Sequence, residues 1–194
     1  MKAARAWSIH HLKYVWLSPI RKLDLAMTFG IPTWIQPAFS RIVCTPFSLV
    51  IDSEARGLDV HVLLTCIRVK EAITRERTLL ALNVPPLQPT VGTPACKTHE
   101  QCHLVFQSVW KTKVPTVLLH PDDPLMLSQL GDYLRRLSFP GMSPTCLARQ
   151  LDFIEERGVL LVEDQIIRDG CSVLEAICRA ESKVHPLCSC ISRH

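Results

Sequence analysis

Cys96, His99 and Cys102 stand at C-x2-H-x2-C spacing, and they carry the most specific chemistry in this 194-residue chain. Zinc prefers four soft Cys/His ligands at the corners of a tetrahedron, and such short spacing lets one turn deliver several of them. A fourth ligand is needed to close a structural shell. Cys146 is the first choice, because Ser143-Pro144 places it in the first turn of a helix and so near a loop; His120 and His103 are the alternatives. The expectation is a structural Zn2+ held by Cys96, His99, Cys102 and Cys146. Against it stands the reading of ordinary thiols and a surface histidine, since the second half has no C-x2-C pair. Cys188 and Cys190 form a C-x-C pair in a tail without periodicity, which reads as incidental.

The other candidates for chemistry have simpler explanations. His120 beside Asp122 and Asp123 has the residues of a base with an orienting carboxylate, yet the same residues serve to break one helix and cap the next. Neither a Walker loop, nor a dinucleotide fingerprint, nor a nucleophile elbow is present, and the chain has only seven glycines from which to build one. The chain therefore reads as a non-enzyme; the rival is a zinc- or thiol-dependent enzyme, which requires an open metal position and a general base in a cleft. Arg135-Arg136 and Lys111-Thr112-Lys113 fit solvated helix faces better than phosphate contacts. The net charge of +4 is spread from Arg5 to Arg193, which argues against nucleic acid as a partner; a DNA-associated regulator is the third reading. Trp7, Trp16, Trp34 and Trp110 read as core anchors.

The elements that must position these residues are helical. Hydrophobic residues make up 47% of the chain and charged ones 21%, a globular balance, and a chain of this length buries about 70% of its unfolded surface. Strand alternation is absent while helix punctuation recurs, so the fold class is all-α. Ser18-Pro19 opens a helix over 19–29 that Gly30 stops. Thr33 is the expected cap of the next, with Trp34, Ala38, Ile42 and Val43 inward and Pro37 costing a bond outside the first turn.

From Asp59 a longer helix carries Val60, Leu63, Leu64 and Ile67 on one face and Val62, Cys66, Val69 and Ile73 on another. It is therefore expected to be buried on two sides, with Glu71 and Arg75 paired. Four prolines and a glycine within residues 83–94 end it. Helices then follow over 98–114, from Asp123-Pro124 with Leu127, Leu130, Leu134 and Leu137 on one side, from Ser143-Pro144, and over about 163–179. The domain reading is two packed helical halves, 1–82 and 96–180, joined by a Pro-rich linker at 83–95, with a tail at 181–194 that has no pattern.

Ser8, His10, His11 and Lys13 interrupt any apolar stretch after the basic N-terminus, which argues against a secretory signal. No run approaches the roughly 20 apolar residues of a membrane helix. Nine cysteines is an odd number, and several lie among apolar neighbours, which suits buried thiols in a reducing cytoplasm or nucleus.

A wider pattern covers about residues 7–178. Trp7-Ser8-Ile9-His10-His11-Leu12, Trp16-Leu17-Ser18-Pro19-Ile20, Phe29-Gly30-Ile31-Pro32-Thr33-Trp34, Glu54-Ala55-Arg56-Gly57-Leu58-Asp59, Cys96, His99 and Cys102 before Trp110, Leu119-His120-Pro121-Asp122, and Phe139-Pro140-Gly141-Met142 with Cys146 follow in order. In this the chain resembles the helical region after the BTB/POZ domain in a protein family expanded in mushroom-forming (basidiomycete) fungi. The resemblance implies an intracellular protein-interaction or scaffold module of BTB-type adapters, with other proteins as partners and the Cys/His positions as part of a recurring pattern. The BTB domain, expected before residue 1, is not in this chain, so its dimerisation and its recruitment of a cullin-type ubiquitin ligase do not transfer. Residues 181–194 fall outside the resemblance.

Overall fold

A computed structural model describes residues 11, 15–46, 56–86 and 99–184. Their regular structure is all-α: seven α-helices and one 3-10 turn among the described residues. By contact the chain divides into a first unit of residues 1–66 and 170–194 and a second of residues 67–169. The described part of the Pro-rich segment, residues 83–86, belongs to the second unit.

In the first unit, α1 (Pro19–Phe29) begins as its sequence requires: Ser18 Oγ accepts the Arg21 amide at 3.2 Å, and Pro19 occupies the first turn, where no amide is needed. Gly30 ends it at φ 62°, and the amides of Ile31 and Gly30 return to the carbonyls of Ala26 (2.8 Å) and Met27 (3.4 Å). This is a Schellman cap, whose left-handed residue costs other side chains about 1–2 kcal/mol. The reversal lays α2 (Pro32–Cys44) against α1 and buries Leu23, Ala26, Ile35, Ala38 and Phe39. Lys22 lies over the Trp34 ring, 5.5 Å from its centroid. The expected Thr33 cap does not form. Ile31 is the N-cap residue and Pro32 starts the helix, so the proline's fixed φ does the work assigned to a hydroxyl.

The next helix, α3 (Val60–Leu82), is capped by Asp59, whose carboxylate accepts the His61 amide at 2.8 Å. Its Val62, Cys66, Val69 and Ile73 face is buried, while Val60, Leu64 and Ile67 are 58%, 41% and 38% exposed. Burial on two sides is therefore corrected to burial on one. Arg75 turns to its neighbour Glu76 at 3.4 Å instead of pairing with Glu71.

The second unit is organised around α4 (His99–Leu118). Cys102, Phe106, Trp110, Val114 and Leu118 recur every fourth residue and are all essentially inaccessible. Phe106 stacks on Phe139 (centroids 5.8 Å apart) and meets Trp110 at a tilt. The Trp110 indole N–H donates to the Leu80 carbonyl at 3.2 Å. The helix runs through Pro115, four residues beyond the expected end: Leu118 gains a buried position on the same stripe, which offsets one lost backbone bond.

Next come α5 (Leu127–Arg136), α6 (Pro144–Glu156) and a 3-10 turn (Val159–Leu161) that leads into α7 (Val162–Val184). In α5 a Cβ at position 131 would meet the end of the Glu155 side chain at 2.8 Å, which can swing aside, and Leu160 at an ordinary 3.4 Å. The expected start of α5 at Asp123-Pro124 is also corrected. The helix begins at Leu127 with no side-chain cap from Met126, and the Leu127 amide is taken instead by Glu163 at 2.9 Å.

Two thiols of the first unit have lost their usual acidity. Burial pushes Cys66 from its ordinary 9.0 up to about 12, against a backbone hydrogen bond that lowers it, with a smaller push from Cys171. Burial and then the Glu175 carboxylate raise Cys171 to about 11. An unfolded chain loses these protons near pH 9 while the folded chain keeps them, so folding stability is full below pH 9 and falls as pH rises toward 11–12. Chemical denaturation at pH 8 and at pH 10.5 is expected to show the loss, up to about tenfold in the folding constant per pH unit for each thiol. Cys66→Ala should flatten the slope; an unchanged slope would remove the thiol as its source.

Candidate functional site

His99 starts α4 and Cys146 sits in the first turn of α6, because Ser143-Pro144 begins that helix two residues earlier. These two helices touch. The contact brings the Cys146 Sγ to 3.9 Å from His99 Nδ1, across 47 residues of sequence. A sulfur and an imidazole nitrogen on one tetrahedral zinc lie about 3.6 Å apart. One turn along α4, Cys102 Sγ accepts the Ser143 amide at 3.4 Å.

Of the four expected ligands, His99 and Cys146 meet where α4 and α6 begin, Cys102 lies one turn along α4 on the Ser143 amide, and Cys96 lies outside the described residues. Among the described residues no three Cys, His, Asp or Glu side chains stand as a metal-holding group. The alternative ligands have other partners: His103 Nε2 meets Gln107 at 2.7 Å, and His120 Nδ1 accepts the amides of Asp122 (3.3 Å) and Asp123 (3.0 Å). His120 thus works as a turn acceptor after α4, and the expected cap of the next helix does not form. The tail cysteines Cys188 and Cys190 lie outside the described residues.

A second feature was not anticipated. A half-open apolar groove of about 400 Å³ runs between the end of α3 and the α6 to α7 corner, within the second unit. Leu79 and Leu80 form one wall, Phe153, Ile154 and Val159 another, and Val84-Pro85-Pro86 a third. That volume is within the usual range of ligand pockets, about 300–1,000 Å³. Its polar lining consists of Glu76, Asn83 and Arg157.

Buried polar groups hold these walls. Gln150, 1% exposed, donates to the Pro86 carbonyl at 3.2 Å and so pins the proline pair to α6. Glu163, also 1% exposed, receives both Nε and Nη2 of Arg77 from α3 and the Leu127 amide from α5. One carboxylate therefore fastens three helices, and it neutralises the positive end of α5 as well as a guanidinium.

Sequence reading missed this site for an identifiable reason. Gln150, Arg77 and Glu163 are polar residues in helical stretches, where the default is a solvated face, and Pro85-Pro86 has the signature of a linker. The one available signal was the bulk of Leu79, which is 49% exposed at the end of a helix whose buried face lies elsewhere.

No family model matches the chain, and neither a curated protein nor a solved structure matches it. No helix among the described residues is long and apolar enough to cross a membrane.

Proposed function

We propose that the chain is a non-enzymatic protein-interaction or scaffold module, of the kind its resemblance to the region after a fungal BTB domain implies. The observation that carries this reading is the groove: an apolar cleft of about 400 Å³ held open by buried polar clamps, with a carboxylate, an amide and a guanidinium as its polar lining. Such a surface is built to take apolar side chains. Panning the immobilised full chain against a random-peptide display library tests it. Saturable enrichment that Leu79→Glu abolishes is expected; Leu79 is half exposed, so the variant should fold. No enrichment, or reproducible turnover of a substrate by the metal-loaded protein, would overturn the reading.

In this proposal Cys96, His99, Cys102 and Cys146 staple the module through a structural Zn2+. The support is the meeting of His99 and Cys146 beside Cys102. One zinc per untagged, reduced chain is expected, with a chelator lowering the thermal midpoint. Cys102→Ser should lower stability far more than Cys188→Ser. Cys102 is also a core residue, so the discriminating variant is the half-buried His99→Ala, which should lose both the zinc and the chelator effect. An unchanged midpoint and no metal would reduce these side chains to packing.

A further inference from the structure

The groove carries a charge that the fold does not neutralise. Arg157 follows the last residue of α6, exposed to solvent, with its guanidinium 4.4 Å from the centroid of the Phe153 ring. Both residues line the groove. Stacking on an aromatic face fixes the direction of the guanidinium while leaving its edge donors available. Among the described residues no carboxylate pairs with it: Glu155, two residues earlier, turns to Arg135 at 2.6 Å. The other charge on the lining, Glu76, has Arg75 beside it at 3.4 Å. An apolar occupant therefore meets one preoriented cation whose charge remains uncompensated.

We infer that the groove receives a short segment of a partner protein whose apolar side chains fill the cleft and whose Asp or Glu pairs with Arg157. This rests on the interaction-module reading and adds the chemistry of the partner. An Arg edge offers two parallel N–H donors to a carboxylate, a geometry that selects an acidic residue over a neutral one. Apolar contacts in the cleft supply burial, and the ion pair at its rim sets register and choice of partner.

The test pans one random-peptide display library against the full-length wild type, Arg157→Glu and Leu79→Glu, with thermal melts to show that all three fold. Peptides that combine adjacent apolar residues with an acidic one should be enriched by the wild type. Arg157→Glu should reverse that preference toward Lys or Arg, and Leu79→Glu should enrich nothing. A chosen acidic peptide, titrated by fluorescence anisotropy, should bind Arg157→Glu at least tenfold more weakly, and its Gln counterpart should bind the wild type more weakly than the acidic form. Equal enrichment by the wild type and Arg157→Glu would overturn the acidic partner while leaving the interaction module standing. Absence of any enriched peptide would overturn both. A concentration-dependent dimer in sedimentation that Leu79→Glu dissolves, with no enriched peptide, would assign the groove to a second copy and overturn the inference.

Discussion

Glu163→Ala is expected to destabilise the second unit by about 3–5 kcal/mol, because it strands a buried guanidinium and a helix amide together. Arg77 is 7% exposed and has both Nε and Nη2 committed to this carboxylate, while the Leu127 amide at the start of α5 has no other side-chain cap. Loss of the partner leaves a charge in a place that water cannot easily reach, which is worse than having no pair at all. Arg77→Met combined with Glu163→Gln should recover much of the loss. That pair removes the guanidinium and keeps an oxygen for the Leu127 amide. Urea denaturation followed by circular dichroism measures each variant, and the double-mutant cycle isolates the pair. A cost below about 1 kcal/mol for Glu163→Ala would mean that water reaches Arg77 and that the carboxylate is not the fastening described, since exposed pairs are worth about that much. The peptide assay then supplies a further check: slackened walls should weaken enrichment even where the chain remains folded.

Trp110→Ala should be comparably severe, about 3–5 kcal/mol, for a different reason. Trp110 is the largest fully buried side chain among the described residues, it contacts Phe106, and it sits at the middle of the α4 stripe. Truncation opens a cavity between α4 and the end of α3 that close-packed neighbours cannot collapse to fill. It also leaves the Leu80 carbonyl without the indole donor at 3.2 Å. Trp110→Phe separates the two contributions: it keeps most of the apolar volume and loses the hydrogen bond, so a cost of about 1–3 kcal/mol is expected. If the phenylalanine variant were as damaged as the alanine one, the hydrogen bond rather than the volume would dominate, and the packing account would fail.

What the residues reveal before folding follows from the range over which each signal acts. Ser18-Pro19, Gly30, Asp59 and Ser143-Pro144 act within a turn of themselves, and they mark helix ends that the structure places where their chemistry requires. Asp123-Pro124 has the same appearance and does not start a helix, because the amide at Leu127 is met by Glu163, 36 residues away. No local pattern encodes that partner. Similarly, the two apolar faces of α3 are alike in composition, yet one is buried and the other is not, since burial depends on which neighbours arrive. The meeting of His99 with Cys146 was legible because both lie at helix starts with ligand chemistry. The groove was not, because its walls are joined by Gln150 and Glu163, whose polarity alone would place them in solvent.

The buried stripe of α4 has a consequence in time as well as in space. A spacing of four residues advances by about 40° around a helix of 3.6 residues per turn, so from Cys102 to Leu118 the buried line winds through about 160°. Along that path it meets Ser143 at one end, Phe139 and Leu80 near the middle, and the segment around Leu125 at the other, where the Leu125 amide donates to the Val117 carbonyl at 2.9 Å. A helix touched on one side can fray or detach while its support stays folded, but one gripped successively from different directions cannot leave without releasing each grip. The amide protons in the middle of α4 are therefore expected to exchange with solvent only when the second unit opens as a whole, and their exchange rate is a clock for that event.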